Sequence, residues 1–230
     1  MKFPKLVSSI FIDRRNRFTA DVKLNGGDPA QAYVPTTGRL TGALRPGGRV
    51  WLKQAGNPDR KLPYTLALTT LENGGLCSVN AALANDLFVE ALRLGRLEAF
   101  PYGIVEREVV FGRSRLDLRL SDGANICWVE VKSVTYVQDG IGMFPDAPTE
   151  RGRKHLVELA ELSQQGERVC AVFIVQREDA ACFTPFEAVD PEFAARLRQV
   201  YQQGVEVHAY RCKVNLESIT IMEKIRVALT

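Results

Sequence analysis

The sequence predicts a chain of mixed α+β and α/β character in two parts: a small antiparallel β-barrel over residues 1–80 and an α/β domain over residues 81–230. Three observations carry this. Residues 6–79 run as short strand-like segments between turns rich in Gly and Pro. From residue 81 onward, apolar residues at helical spacing alternate with strand-like runs. Charge divides at the same place: residues 1–80 hold 12 Lys+Arg against 5 Asp+Glu, a net of +7, and residues 81–230 hold 18 against 22, a net of −4.

The first part reads as strands at Leu6–Asp13, Arg17–Leu24, Ala30–Val34, Arg49–Lys53, Tyr64–Leu71 and Leu76–Val79. Asn25-Gly26-Gly27-Asp28, Pro46-Gly47-Gly48 and Gly56-Asn57-Pro58 supply the turns. Five or six short strands in so few residues suggest an OB-like barrel. Trp51, alternating with Val50 and Leu52, is expected to be buried.

In the second part Asn80 reads as the N-cap of a helix over 81–94, which carries Leu83, Leu87, Phe88, Ala91 and Leu92 on one face and stops at Gly95. Ile104–Phe111, Arg115–Leu120 and Ala124–Val137 read as three strands, joined by turns at Gly112-Arg113-Ser114 and Ser121-Asp122-Gly123. A Gly/Pro loop over 139–148 follows. Thr149 caps a helix to Gln165, Arg168–Gln176 is a buried strand, and Asp190-Pro191 opens a helix to Gln203. Val205–Tyr210 and Leu216–Met222 are terminal strands.

The chemistry lies in the three-strand run. Side chains alternate along a strand, so Glu130 and Lys132 share a face while Val131 points into the core. With the Asp117 strand alongside, two carboxylates and an ammonium converge. Carboxylate oxygens suit a hard cation such as Mg²⁺ or Mn²⁺, and this set is the minimum for metal-assisted cleavage of a phosphodiester. Asp117 and Glu130 are the metal candidates, and Lys132 would assist the attacking water or neutralise phosphate charge. The competing readings are solvated surface charges and a structural salt bridge. Both the spacing and the αβββαβ order from residue 81 to 176 resemble the PD-(D/E)xK nuclease superfamily.

A closer likeness runs over nearly the whole chain. Phe144-Pro145-Asp146-Ala147-Pro148-Thr149-Glu150-Arg151-Gly152-Arg153-Lys154-His155-Leu156 resembles the sugar fermentation stimulation protein A family. So do Glu130–Thr135, Arg14-Arg15-Asn16-Arg17-Phe18, Val34–Leu40 and Val175-Gln176-Arg177. Tyr33 and Thr37 stand where that family usually has His and Asn. The resemblance implies an OB-like first domain, a nuclease-like second domain, nonspecific DNA binding and a role in regulating sugar (maltose) metabolism. It leaves open a metal-dependent nuclease and a non-catalytic DNA-binding regulator that keeps the nuclease fold.

Other residues are weighed on the same terms. Arg14, Arg15 and Arg17 with Phe18 combine phosphate-pairing cations and a stacking ring, and Arg39 continues the basic bias. Arg151, Arg153 and Lys154 stand at a helix start where phosphates bind, or form a solvated basic turn. His155 is a phosphate or metal-water contact or a packing imidazole. Glu98 and Glu108 are candidates for a further carboxylate, and Gln176 either lines the cleft or ends its strand.

Several classes are excluded. With two histidines in the chain, a His-based zinc site is not expected. Five scattered cysteines read as reduced thiols of a cytoplasmic protein. No apolar run reaches membrane-spanning length, and the sequence has no phosphate-binding Gly loop, nucleophile elbow or helix-turn-helix signal. DNA is the expected partner, and no membrane is expected.

Overall fold

The computed structural model describes residues 1–57, 59–112 and 114–229. Pro58 and Arg113, from two of the expected turns, lie outside the described residues. Strands β1 (Leu6–Asn16), β2 (Thr19–Leu24), β3 (Pro29–Tyr33), β4 (Arg49–Gln54), β5 (Tyr64–Thr70) and β6 (Leu76–Ser78) form one sheet in the order β3-β2-β1-β4-β5-β6. A parallel pairing of β3 with β5 at Ala32↔Tyr64 closes five of them into a barrel. Inward positions alternate as the pleat requires, with Phe11, Val22, Val50, Leu52 and Leu66 in the barrel core. Trp51, on the other face of β4, packs against the core of the second unit.

The β1–β2 hairpin is tighter than the sequence suggests. Asn16 pairs with Thr19, so Arg17 and Phe18 are the loop and not the start of a strand. The Asn16 side chain accepts the Phe18 amide at 2.9 Å, an Asx turn that explains the early reversal.

The second unit contains a nine-stranded sheet. After helix α1 (Leu83–Arg93) come β7 (Ile104–Phe111), β8 (Ser114–Ser121), β9 (Ile126–Val134), β10 (Tyr136–Gln138) and β11 (Ile141–Phe144). Helix α2 (Glu150–Gln164), β12 (Arg168–Val175), β13 (Cys182–Pro185), α3 (Pro191–Gln202), β14 (Glu206–Val214) and β15 (Ile219–Val227) complete the chain. The strand order is β10-β11-β13-β15-β14-β12-β9-β8-β7. Helix α1 packs on one face through Leu87, Phe88 and Ala91, and α2 and α3 pack on the other through Leu156, Leu159, Phe193 and Leu197. The expected order of helix, three strands, helix and strand is present, with β9 inside the sheet between β8 and β12.

Two departures are informative. The expected loop over 139–148 begins as a hairpin, in which Asp139 (φ 50°) and Gly140 (φ 75°) form the turn joining β10 to β11. Asp-Gly is the signature of such a turn. Asn80 does not cap α1: the N-cap position is Ala82, and the Asn80 side chain accepts the Ala82 amide at 3.1 Å in the turn before it. The Thr149 and Asp190 caps are present, accepting the amides of Gly152 at 3.0 Å and Phe193 at 2.9 Å.

The two sheets are tied together. The first residues of the chain cross to the second unit, where Phe3 donates to the Glu217 carbonyl at 2.7 Å. The Ser78 amide donates to the Gln176 carbonyl at 3.0 Å.

Candidate active site

Main-chain pairing between β8 and β9 runs from Ser121↔Ile126 to Leu118↔Val129 and stops there. Beyond that point side chains take over. The Val131 amide donates to Asp117 Oδ2 at 2.9 Å, and the Asp117 amide donates to Glu130 Oε2 at 3.3 Å. Both carboxylates therefore sit where the strands part, and Glu130 is buried at 2% exposure. Glu130 Oε1 accepts from the Lys132 ammonium and from His155 Nδ1 on α2. Arg151 Nε donates to His155 Nε2 at 3.3 Å, which assigns the ring proton to Nδ1, facing Glu130.

The two carboxyls are in different electrostatic states. Burial works against ionisation of Glu130, but the Lys132 charge and the His155 hydrogen bond outweigh it and hold the group at about 2. For Asp117, burial and then the neighbouring Glu130 charge push the pKa up, and Lys132, the Val131 amide and Asn85 offset this only in part.

Asn85 of α1 belongs to the same site, and the sequence reading passed over it while seeking a third acid. Its Nδ2 donates to Asp117 Oδ1 at 3.0 Å, and its Oδ1 is buried with no partner. A hard divalent cation fits this set. Two carboxylates face a single ammonium, and a free amide oxygen stands beside them. Asp117, Glu130 and Asn85 are the residues that would hold it.

These groups line a cleft of about 450 Å³ between the two units. Its far wall is the Thr36–Gly38 segment with Arg17, and Asp146, Thr149 and Arg151 close one side. Asp146 Oδ2 accepts the Leu40 amide at 2.8 Å and so joins the walls. A somewhat larger hollow of about 590 Å³, around Thr41–Arg45, Tyr136 and Arg177, holds none of this acid–lysine set.

The remaining candidates separate clearly. Arg17 and Arg151 line the cleft. Arg39 is exposed near it, and Phe18 stands at the hairpin tip. Arg15 is exposed and pairs with Asp21 at 3.1 Å. Lys154 is exposed beside His155 and lies 3.8 Å from Glu158.

Others take different roles from those expected. Arg14 is not a free phosphate contact: its guanidinium donates to the carbonyls of Gly38 at 2.5 Å, Arg39 at 2.9 Å, Arg17 at 2.5 Å and Thr36 at 3.2 Å. Arg153 is likewise engaged, bonding both Asp190 oxygens at 2.9 Å and tying α2 to α3. Glu98 is exposed in the turn after α1, and Glu108 pairs with Arg115 at 3.0 Å. Neither lines the cleft. Gln176 is fully buried, and its Nε2 bridges the Asn80 carbonyl at 2.9 Å and Ser133 Oγ at 2.7 Å, so it supports the site from behind.

A second group of possible donors, Cys170, Glu206 and His208, lies elsewhere on the sheet. Arg168 takes both Glu206 oxygens, at 2.7 and 2.9 Å, and also holds the Ala99 carbonyl at 2.9 Å. That network acts as a structural clamp on the loop after α1, with His208 Nε2 paired to Glu206 at 2.8 Å and His208 Nδ1 left buried without a partner. All five cysteines are buried and free.

A closed barrel joined to an α/β unit, with an acid pair at parting strands, defines the architectural class. Family comparison identifies it further. Residues 12–79 match the SfsA N-terminal OB domain and residues 82–218 match the sugar fermentation stimulation protein RE domain. The chain belongs to the sugar fermentation stimulation protein family. It is 41% identical over 225 residues to the sugar fermentation stimulation protein homolog of Thermoanaerobacter sp. (strain X514), covering 97% of both chains. The homolog of Moorella thermoacetica is 43% identical over 227 residues, again with 97% of each covered. Among solved structures, Pyrococcus furiosus SfsA in complex with Ca²⁺ superposes with a TM-score of 0.91 at 28% identity, over 99% of this chain and 98% of that one. Among the described residues, no helix is long and apolar enough to cross a membrane.

Proposed function

We propose that this protein is a nonspecific DNA-binding protein whose cleft is a divalent-metal-dependent phosphodiesterase site. Residues 1–80 act as the binding barrel and residues 81–230 carry the chemistry. The observation that supports this most directly is the meeting of Asp117, Glu130 and Lys132 with the unpartnered Asn85 oxygen on one cleft. The Ca²⁺ bound by the Pyrococcus furiosus relative supports an oxygen-ligated cation in this family. Bound Mg²⁺ or Mn²⁺ would supply Lewis-acid stabilisation of phosphate charge. The chain's own groups do the rest. Asp117, Glu130 and Asn85 offer oxygens. Lys132 adds positive charge where negative charge grows on the phosphate. His155 orients Glu130, and Arg17 and Arg151 position the backbone from the cleft walls.

A second reading is a DNA-binding regulator of sugar (maltose) metabolism without catalysis. One observation favours it: Glu130 Oε1 is already paired with Lys132 and His155, so the network is self-consistent without a metal. Incubating the protein with labelled single strands, duplexes, flaps and RNA in Mg²⁺ or Mn²⁺ tests the two. Metal-dependent cleavage lost in Asp117→Asn supports the nuclease. Tight binding without cleavage of any substrate supports the regulator.

A further inference from the structure

We infer that the polymer taken by this cleft is a single strand, led in over an exposed aromatic platform at the barrel's hairpin tip. This rests on the nucleic-acid reading above and narrows its substrate class.

The platform is built from three residues. Phe18, 44% exposed, lies nearly parallel to Tyr33, with ring centroids 6.3 Å apart and 18° between planes. The Arg60 guanidinium lies over the Tyr33 ring at 5.2 Å from its centroid. A single exposed apolar side chain needs no explanation, but a ring set beside a second ring that carries a guanidinium forms a small patch with a chemistry of its own. Here the neighbouring residue ties that patch to the site. Arg17, next to Phe18 in the same two-residue loop, lines the cleft that holds Asp117, Glu130 and Lys132. One loop therefore presents a cation to the cleft of the acid pair and, at the adjoining residue, an exposed stacking face. Bases of a single strand have free faces for such rings, at about 1–3 kcal/mol per stacked base. In the body of a duplex those faces are already stacked on one another.

The cleft itself points the same way. Its volume of about 450 Å³ is that of a small-ligand pocket and has room for a nucleotide or two of one strand. Its walls are cross-braced and do not read as a hinge. Arg14 holds the Thr36–Arg39 wall by its carbonyls. Asp146 holds the Leu40 amide, and a side chain at Gly38 would collide with that same carboxylate. Arg177 bridges the Gly42 carbonyl at 2.9 Å and the Thr135 carbonyl at 3.0 Å, joining the two units directly.

The test is fluorescence anisotropy in Ca²⁺ with three probes of one sequence: a single-stranded DNA, a single-stranded RNA and a DNA duplex closed at both ends. Wild type is expected to bind the single strand at least tenfold more tightly than the closed duplex. Phe18→Ala is expected to weaken single-strand binding by roughly 5- to 150-fold, the equivalent of one lost base stack. Phe18→Trp should restore it, and neither change should alter the melting temperature, because the ring is at an exposed tip. The RNA probe distinguishes DNA from RNA as the source of the strand. Equal binding of closed duplex and single strand, unchanged in Phe18→Ala, would overturn the inference while leaving the DNA-binding reading intact. Failure of every probe to bind would overturn both.

Discussion

The carboxylates of Asp117 and Glu130 each accept a main-chain amide across two strands: the Val131 amide donates to Asp117 Oδ2 at 2.9 Å, and the Asp117 amide donates to Glu130 Oε2 at 3.3 Å. Each carboxylate thus accepts an amide just beyond the point where main-chain pairing of the two strands ends. The arrangement holds two negative charges together on a buried edge and leaves the charge of Asp117 poorly compensated. A cation is the natural complement.

That imbalance gives the first expectation. Asp117→Asn should leave the metal-free protein as stable as wild type or up to about 1 kcal/mol more stable, since it removes a repelled buried charge while an amide can keep the Val131 bond. It should also abolish the rise in melting temperature produced by Ca²⁺ or Mn²⁺ in wild type. Thermal melts with and without metal measure both. A metal-dependent rise of equal size in the variant would remove Asp117 from the site.

Lys132 separates charge from geometry. Lys132→Arg should keep the pairing with Glu130 and the fold. It should still lose roughly 10²–10³ in kcat for phosphodiester cleavage, because a planar guanidinium cannot take the ammonium's position. Lys132→Ala should lose activity and also stability, by about 3–5 kcal/mol, because the buried Glu130 loses its ammonium partner and keeps only the His155 and Asp117 amide hydrogen bonds. Near-UV circular dichroism alongside the kinetics separates the two effects.

Arg14 and Arg17 should behave oppositely despite their proximity. Arg14→Ala removes a guanidinium bonded to four carbonyls and should cost about 2–3 kcal/mol of stability. Arg17→Ala should leave stability within about 0.5 kcal/mol of wild type, as an exposed site does. It should weaken nucleic-acid binding for all sequences alike and lower the salt slope by about 0.7 on single strands. Urea titrations paired with binding at three salt concentrations would expose a reversal of these roles.

Asp190 is expected to contribute to acid stability at the α2–α3 junction. Burial resists its ionisation, but the amides of Thr149 and Phe193 and the Arg153 guanidinium outweigh that and hold the carboxyl below its ordinary range. A depressed folded pKa means that its contribution is complete above the unfolded carboxyl value, near pH 4, and is lost as pH falls through the lower folded value. Asp190→Asn should therefore cost about 2 kcal/mol at pH 7 and progressively less toward pH 2. Parallel loss at both pH values would mean that charge plays no part.

The local chemistry of the chain was legible where one residue type answers one need. Thr149 and Asp190 cap their helices because a short side-chain oxygen followed by an apolar stripe has few other uses. The alternation Val129-Glu130-Val131-Lys132 specified which side chains share a face, because a strand has period two. The Asp139-Gly140 turn was equally legible, and was lost only because flanking glycine and proline read as a loop.

What the sequence could not determine depends on partners distant along the chain. Arg14, Arg17, Arg151 and Arg153 are chemically one residue type, and spacing alone made all of them phosphate contacts. Packing sorted them, since Arg14 met a ring of carbonyls and Arg153 met Asp190, while Arg17 and Arg151 were left facing the cleft. Asn85 joined the acid pair because α1 packs over β9, and Tyr33 met Phe18 because β2 pairs with β3. The sequence by itself determined most of the elements and their order, though not β10, β11 or β13, and which of Glu130, Val131 and Lys132 share a face, since these follow from local sterics and periodicity. Only the tertiary structure decided which charges are free and which are committed, because a hydrogen bond is made by whichever group arrives within about 3 Å, however far away it lies in the chain.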